Sequence, residues 1–376
     1  MNRNQLAALI SSLFLIGSAE VVTGPMMKVM GPHFGVPSSY IAYLPAAYGL
    51  TYGIAAIFTG PFSDRFGRKR LLQFGLSGYA IFCALIPNVP NLAAAVAVSA
   101  LIGVCAAVIQ PNALSLVGDE APPEQVGQFI GRVFIGLMLA FVLTPILVGR
   151  LADMAGWQSA YYGLSAMAIV VLLAVSAVFP HHPENKDHAV SAWATHRGAL
   201  TIKGIIKPLS ASYLWLGWVA GFGAVVPEIC VRKLALSSTS TGILAGFYGM
   251  AIISGNLFSV QMHRLLGNAA LPSIALVSAA GIAAFLLPVD SLLQLSIAGI
   301  PWAFFYGCAG PLHHTQLNNL SDQYRGTINS YHASLLNLGI FSVSFLMGTL
   351  VSTVSWEAFC LLVSLTAVMG ATLLIR

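Results

Sequence analysis

Apolar residues run along this chain in blocks of about 20, broken by short clusters rich in Pro, Gly and Asn. At 1.5 Å rise per residue, such a block is long enough to cross the roughly 30 Å hydrocarbon layer of a bilayer as a helix. Twelve blocks meet that ruler: 6–30, 38–60, 71–88, 91–115, 126–150 and 158–179, then 208–229, 240–261, 270–288, 292–315, 327–350 and 357–375. The breaks "IPNVPN" at 86–91, "DEAPPEQ" at 119–125 and "LPVDS" at 287–291 carry turn chemistry, so neighbouring spans form antiparallel hairpins. One break is longer and more polar. Residues 180–207 divide the spans into six plus six. The pattern predicts an all-α membrane protein with an N-terminal bundle over 1–179, a linker over 180–207 and a C-terminal bundle over 208–376.

Composition agrees. The 376 residues are 57% hydrophobic and 8% charged, with a mean hydropathy of +0.82, whereas soluble domains carry roughly 25% charged residues. The net charge of +5 is scattered among apolar spans, which argues against a nucleic-acid partner. The five cysteines, Cys83, Cys105, Cys230, Cys308 and Cys360, lie in or beside apolar runs with no Cys-x-x-Cys pair, and read as small buried residues. The start resembles a signal peptide, but its apolar run continues past residue 22, so a first transmembrane helix is expected.

Lys and Arg set the orientation. With the N-terminus inside, 13 of the 17 fall on the cytoplasmic side, and only Lys28, Arg150, Arg232 and Lys233 fall outside. Both termini are expected in the cytoplasm. The halves also repeat. Gly60 and Gly255 are 195 apart, Pro111 and Pro311 200, Gly127 and Gly326 199, and Trp157 and Trp356 199, each pair at the same topological place. Paired six-helix halves are a transporter plan with the substrate site between them.

The charges concentrate in "GPFSDRFGRKR", residues 60–70, where five fall in the seven positions from Asp64 to Arg70. This stretch resembles the signature loop of the major facilitator superfamily, Gly-x-x-x-Asp-Arg-x-Gly-Arg-Arg/Lys, here Gly60, Asp64, Arg65, Gly67, Arg68 and Lys69. A positive-inside anchor alone explains Arg68, Lys69 and Arg70 but neither Asp64 nor Gly67. The resemblance implies a latch that ties the halves together on the cytoplasmic side. "TPILVG" at 144–149 is similar to the antiporter pattern Gly-Pro-x-x-Gly-Gly, keeping Pro145 and Gly149, and "GWQSAYY" at 156–162 is similar to the family's entry to the sixth span. Together they point to the bacterial drug and sugar efflux branch. Two departures stand out. Ser99 occupies the place where efflux members carry an Arg four residues before a Gly, here Gly103. The second-half copy of the signature keeps Gly255, Arg264 and Gly267 but lacks the acid.

An ionisable group inside a span is costly unless paired or wet, so each is a functional candidate. Glu20 lies about 14 residues into the first span, roughly 21 Å along it, and is the proton-coupling candidate; the alternative is a structural acid held by hydroxyls or Lys28. The substrate-cavity candidates are Gln110, Lys28, Arg132, Trp215, Trp218, Glu228, Trp302, Tyr306, His313 and His314, with His332 near the same level. The bland readings compete with each. Glu228 and Arg232 make an i,i+4 pair, Lys28 can snorkel, the tryptophans and histidines can pack, and Asn112, Asn256, Asn337, Tyr48 and Tyr52 can bond between helices.

No Walker loop, Gly-x-Ser-x-Gly or zinc pattern occurs in the sequence, so neither enzyme, cofactor nor metal is expected. The expected function is secondary transport by alternating access: proton-coupled export of a small organic molecule, by a monomer in the bacterial inner membrane. Uptake or proton-independent facilitation is the alternative, and a transporter-like receptor a remote one.

Overall fold

The polar breaks supply helix caps. Asn2 accepts from the Gln5 N–H at 2.9 Å, while the Gln5 side chain accepts from the Asn2 N–H at 2.8 Å, a reciprocal cap that starts α1 (Arg3–Val21). Asn91 caps α5 (Leu92–Glu120), Ser237 caps α11 (Ser238–Leu266), Ser291 caps α13 (Leu292–Asn318) and Ser355 caps α15 (Trp356–Thr372), each accepting a backbone N–H three residues on. The other helices are α2 (Met27–His33), α3 (Tyr43–Phe66), α4 (Arg68–Leu85), α6 (Val126–Ala155), α7 (Gln158–Val178), α8 (Ala192–Leu200), α9 (Ile206–Ala211), α10 (Trp218–Leu234), α12 (Ala270–Gly281) and α14 (Arg325–Leu350). The computed structural model describes residues 1–180, 192–288, 291–321, 323–351 and 355–375, and for 60–65 and 192–195 the backbone alone.

Among the described residues, ten helical stretches are long and apolar enough to cross a membrane, and α15 is a shorter apolar helix. One stretch, Ser238–Leu286, holds both α11 and α12, which turn at Gly267 with φ 57° instead of at a long loop. The first expected span is likewise interrupted. After Val21 the chain makes a 3-10 turn at Gly24–Met26, with Pro25 at its start, before α2. The seventh begins with α9 and a π-helical segment at Ser212–Gly217 that the apolar pattern did not reveal.

Helices α1 and α3 to α7 pack mainly on one another, as do α10 to α15, and the main contacts between the two sets are α6 on α11 and α3 on α14. Small residues make these crossings close. A Cβ on Gly149 would sit 2.3 Å from the Ser238 carbonyl, and one on Gly242 2.1 Å from that of Pro145. Leu257, Leu265, Leu293, Phe74, Val170 and Leu173 stand largely exposed, the outward apolar belt of a lipid-immersed bundle.

The Met1 ammonium donates to the Glu120 carbonyl at 2.8 Å, and the Gln5 side chain donates to the Glu120 carboxylate at 2.8 Å and the Val178 carbonyl at 3.4 Å. The start of α1 and the ends of α5 and α7 therefore share one end, here termed proximal. The α6–α7 and α10–α11 turns lie at the distal end.

Candidate functional site

Glu20 closes the last turn of α1, whose rotation is fixed against α6. A Cβ on Gly17 would meet Ala140 Cβ at 2.8 Å, one on Gly136 would meet the Ile10 carbonyl at 1.9 Å, and Ser18 Oγ and Thr144 Oγ1 bond at 2.7 Å. Beside this packing Glu20 is left partly exposed. There it lies within electrostatic reach of Tyr48 and Tyr52 from α3 and of Tyr306 from α13. Tyr48 and Tyr52 are one turn apart with ring centroids 5.9 Å apart, and Tyr52 Oη donates to Gln110 Oε1 of α5 at 2.7 Å. No hydrogen bond or ion pair holds the Glu20 carboxyl among the described residues. Residues of both sets of helices thus lie within electrostatic reach of this one acid. Such a group can take up a proton or face a cation across tyrosine rings.

Of the sequence-predicted cavity residues, the structure brings Glu20, Gln110 and Tyr306 together and places the others elsewhere. Trp302 is buried against Phe222, Tyr248 and Phe285, inside the second set of helices. Trp215 is buried too, donating to Ser278 Oγ at 3.0 Å and meeting the His313 ring edge-on; Trp218 is buried as well. His313 Nε2 and His332 Nδ1 each lie 2.9 Å from Ser212 Oγ, and the exposed His314 meets the His332 ring edge-on. The π-helical segment presents Ser212 to this trio. Arg132 is exposed, with its guanidinium 5.1 Å from the centre of the Phe129 ring.

Lys28 and Glu228 serve another purpose. Lys28 Nζ donates to the carbonyls of Ala235 at 3.0 Å and Leu236 at 2.8 Å, at the C-terminus of α10, where a cation also suits the helix dipole. Glu228 is fully buried; its Oε1 accepts from Ser38 Oγ at 2.5 Å and from Arg232 Nε at 2.9 Å, the expected i,i+4 pair, while its Oε2 has no partner. Asp153 Oδ2 at the end of α6 accepts from Thr239 N at 2.7 Å and Thr239 Oγ1 at 2.6 Å in the first turn of α11. Three polar clasps therefore join the two sets at the distal end. Sequence reading missed Ser38, Asp153 and Thr239; the one signal available was the run of hydroxyls at 237–241 opening an apolar span.

In the signature loop, Gly67 takes φ 84°, a conformation that favours glycine and allows the turn between α3 and α4. Arg68 pairs with Asp119 and donates to the Ser115 carbonyl at 3.2 Å on α5, and Lys69, mostly buried, donates to the Ser176 carbonyl at 3.1 Å and to the Phe179 carbonyl on and beyond α7. These partners all belong to the first set of helices, so these two cations staple α4 to its own set rather than across to the other. The side chains of Asp64 and Arg65 lie outside the described residues, and of Gly60 the backbone helix alone is described.

The chain resembles proteins named as transporters. It is 26% identical to the uncharacterized MFS-type transporter YceJ of Bacillus subtilis, over 93% of this chain and 87% of that one. It is 25% identical to the multidrug resistance protein MdtG of Proteus mirabilis (87% and 84%) and 22% identical to the multidrug resistance protein D of Escherichia coli (90% and 86%). Among solved structures, a D-xylose-proton symporter superposes with a TM-score of 0.81 at 14% identity, covering 99% of this chain and 97% of that one, and a nucleoside transporter with 0.77 at 15%, covering 99% and 98%. Residues 9–341 match the Major Facilitator Superfamily. A transport fold of two helix sets meeting around an acid, the signature loop and this match together place the chain in the Major Facilitator Superfamily, as an integral membrane transporter and not an enzyme.

Proposed function

We propose that the chain exports a small organic molecule by alternating access, driven by proton entry, with Glu20 as the proton carrier. The observation that carries this reading is the placement of Glu20: a carboxyl with no hydrogen-bond or ion-pair partner among the described residues, within electrostatic reach of Tyr306 from the other set of helices. A proton and a cationic or polar substrate group compete for one such acid, which is the simplest coupling an exchanger can use. Relatives named as multidrug resistance proteins support export.

The architecture is read as twelve crossings in two six-helix halves, residues 1–179 and 208–376, joined by a linker at 180–207. Splitting Ser238–Leu286 at Gly267 and adding α15 supports that count. The positive-inside bias supports a cytoplasmic proximal end with both termini inside; a bacterial inner membrane and a monomeric state belong to the same reading. The three distal clasps then hold the outer side closed, so the conformation is the inward-facing one. The signature loop would latch the inner side in the alternate state.

A proton-independent facilitator is the second reading, favoured by Ser99. Its hydroxyl donates to the Leu44 carbonyl at 2.7 Å, so the α5 position where the family resemblance leads one to expect an Arg is a neutral tether here. Proteoliposomes separate the two. Flux of a fluorescent cationic dye should follow an imposed pH gradient in the wild type and lose that dependence in Glu20→Gln while gradient-free exchange persists. Unchanged pH-driven flux in Glu20→Gln refutes the proton role.

A further inference from the structure

We propose that an anionic phospholipid docks at the proximal end between α9 and α14, with an acyl chain in an apolar groove and its phosphate on Lys203 and Lys207. The groove, about 320 Å³, is lined by Ile206, Leu209, Ser210, Tyr213, Leu214 and Leu335. It lies on the flank of α14 that faces away from the first half, because α14 meets α3 through the backbone of Ser334 and Asn337, packed on Gly53 and Gly49. Tyr331, on the groove flank, instead holds the linker: its hydroxyl bonds His196 Nδ1 at 3.0 Å. Ile206 is 62% exposed at the groove mouth. An apolar side chain so exposed, one residue from a lysine, marks the depth where hydrocarbon meets headgroups.

The charge argument names the occupant. Lys203 and Lys207 are exposed, four residues apart, and have no partner among the described residues. From Ala192 to Pro227 the chain has no Asp or Glu, while Arg197 adds a third exposed cation. Gly204, at φ 84°, makes the turn that sets Lys203 just before α9. Juxtamembrane cations attract anionic headgroups, and grooves between spans beside them hold such lipids. A zwitterionic lipid would fill the groove and bring the same phosphate, but its own headgroup cation would offset that charge and repel the two ammonium groups, whereas an anionic lipid leaves a net counter-charge for them. The bound lipid would tie α9 and the linker to α14, next to the small cluster of Ile205, Leu209, Leu317 and Ile328 that seals this corner.

The test uses the full chain, delipidated in detergent, with phosphatidylglycerol and phosphatidylcholine of the same acyl chains. Native mass spectrometry should retain phosphatidylglycerol at least tenfold over phosphatidylcholine. Lys203→Gln with Lys207→Gln should remove that preference, and Leu335→Trp, which fills the groove, should weaken both lipids. Arg264→Gln, a distant exposed cation, should change nothing. Equal retention of the two lipids, a preference surviving the double lysine variant, or full displacement by inorganic phosphate alone would each overturn the proposal. None of these readouts depends on Glu20 or on transport, so the site and the coupling mechanism fail separately.

Discussion

Ser38 Oγ, at the entry to α3, donates a 2.5 Å hydrogen bond to Glu228 Oε1 in α10, although 190 residues separate them along the chain. The bond crosses between the two sets of helices at the distal end, and the carboxylate it reaches is fully buried. Lys28 and Asp153 cross the same boundary beside it. Each clasp satisfies a helix terminus or a buried acid, so opening this end exposes groups that must find water instead.

Removing Lys28 should loosen that end. Hydrogen bonds from a charged donor contribute about 1.5–3 kcal/mol each, and Lys28 makes two, partly offset by exposure to water. Lys28→Met should shift the equilibrium toward the distally open state by roughly tenfold, as a 1.4 kcal/mol change does. Double electron–electron resonance between spin labels at His33 and Leu293 should show a longer-distance population; a distribution identical to the parent refutes the clasp.

The α6–α11 crossing depends on Gly249, where a Cβ would lie 2.3 Å from the Phe141 carbonyl. Gly249→Val forces the helices apart at a cost of about 1–3 kcal/mol. Because this contact joins the halves, the same spin-label pair should broaden. Gly307→Val strains a contact inside one half, 2.0 Å from the Ile252 carbonyl, and should lower thermal stability while leaving the distance between halves unchanged.

Lys69 ties α4 to the end of α7 within the first half. Lys69→Met removes the donor shared by the Ser176 carbonyl and the buried Phe179 carbonyl, with a cost of about 1–3 kcal/mol for the buried one left unsatisfied. The expected result is a lower unfolding temperature in detergent with the His33–Leu293 distance unaltered, which distinguishes an internal staple from a gate.

Ser212 bridges His313 and His332. Ser212→Ala leaves both ring nitrogens seeking partners in a buried corner, again about 1–3 kcal/mol. Thermal unfolding should report the loss, and Ser212→Thr, which keeps the hydroxyl, should recover most of it.

If Glu20 carries the proton, adding a cationic substrate to weakly buffered protein should release protons, read with an indicator dye. Glu20→Gln should release none while still binding a neutral analogue. Proton release persisting in that variant would move the coupling group elsewhere.

Hydropathy alone determined that this chain lives in lipid and roughly where its spans fall, and the motif from Asp64 to Lys69 which family it resembles, while the breaks inside the first and seventh spans stayed hidden in continuous apolar sequence. Lipid requires every spanning backbone to be satisfied within its own segment, so span positions are local properties written in consecutive residues. The facing of each helix is not local. Spans such as α5 and α13 are apolar all round, because lipid and protein interior demand the same side chains, and no amphipathic stripe tells inside from outside. Only packing decided it: the close approach of Gly136 to Ile10 turns Glu20 toward Tyr306, the aromatic cluster around Phe222 draws Trp302 into its own half, and the turn after Val21 aims Lys28 at the end of α10.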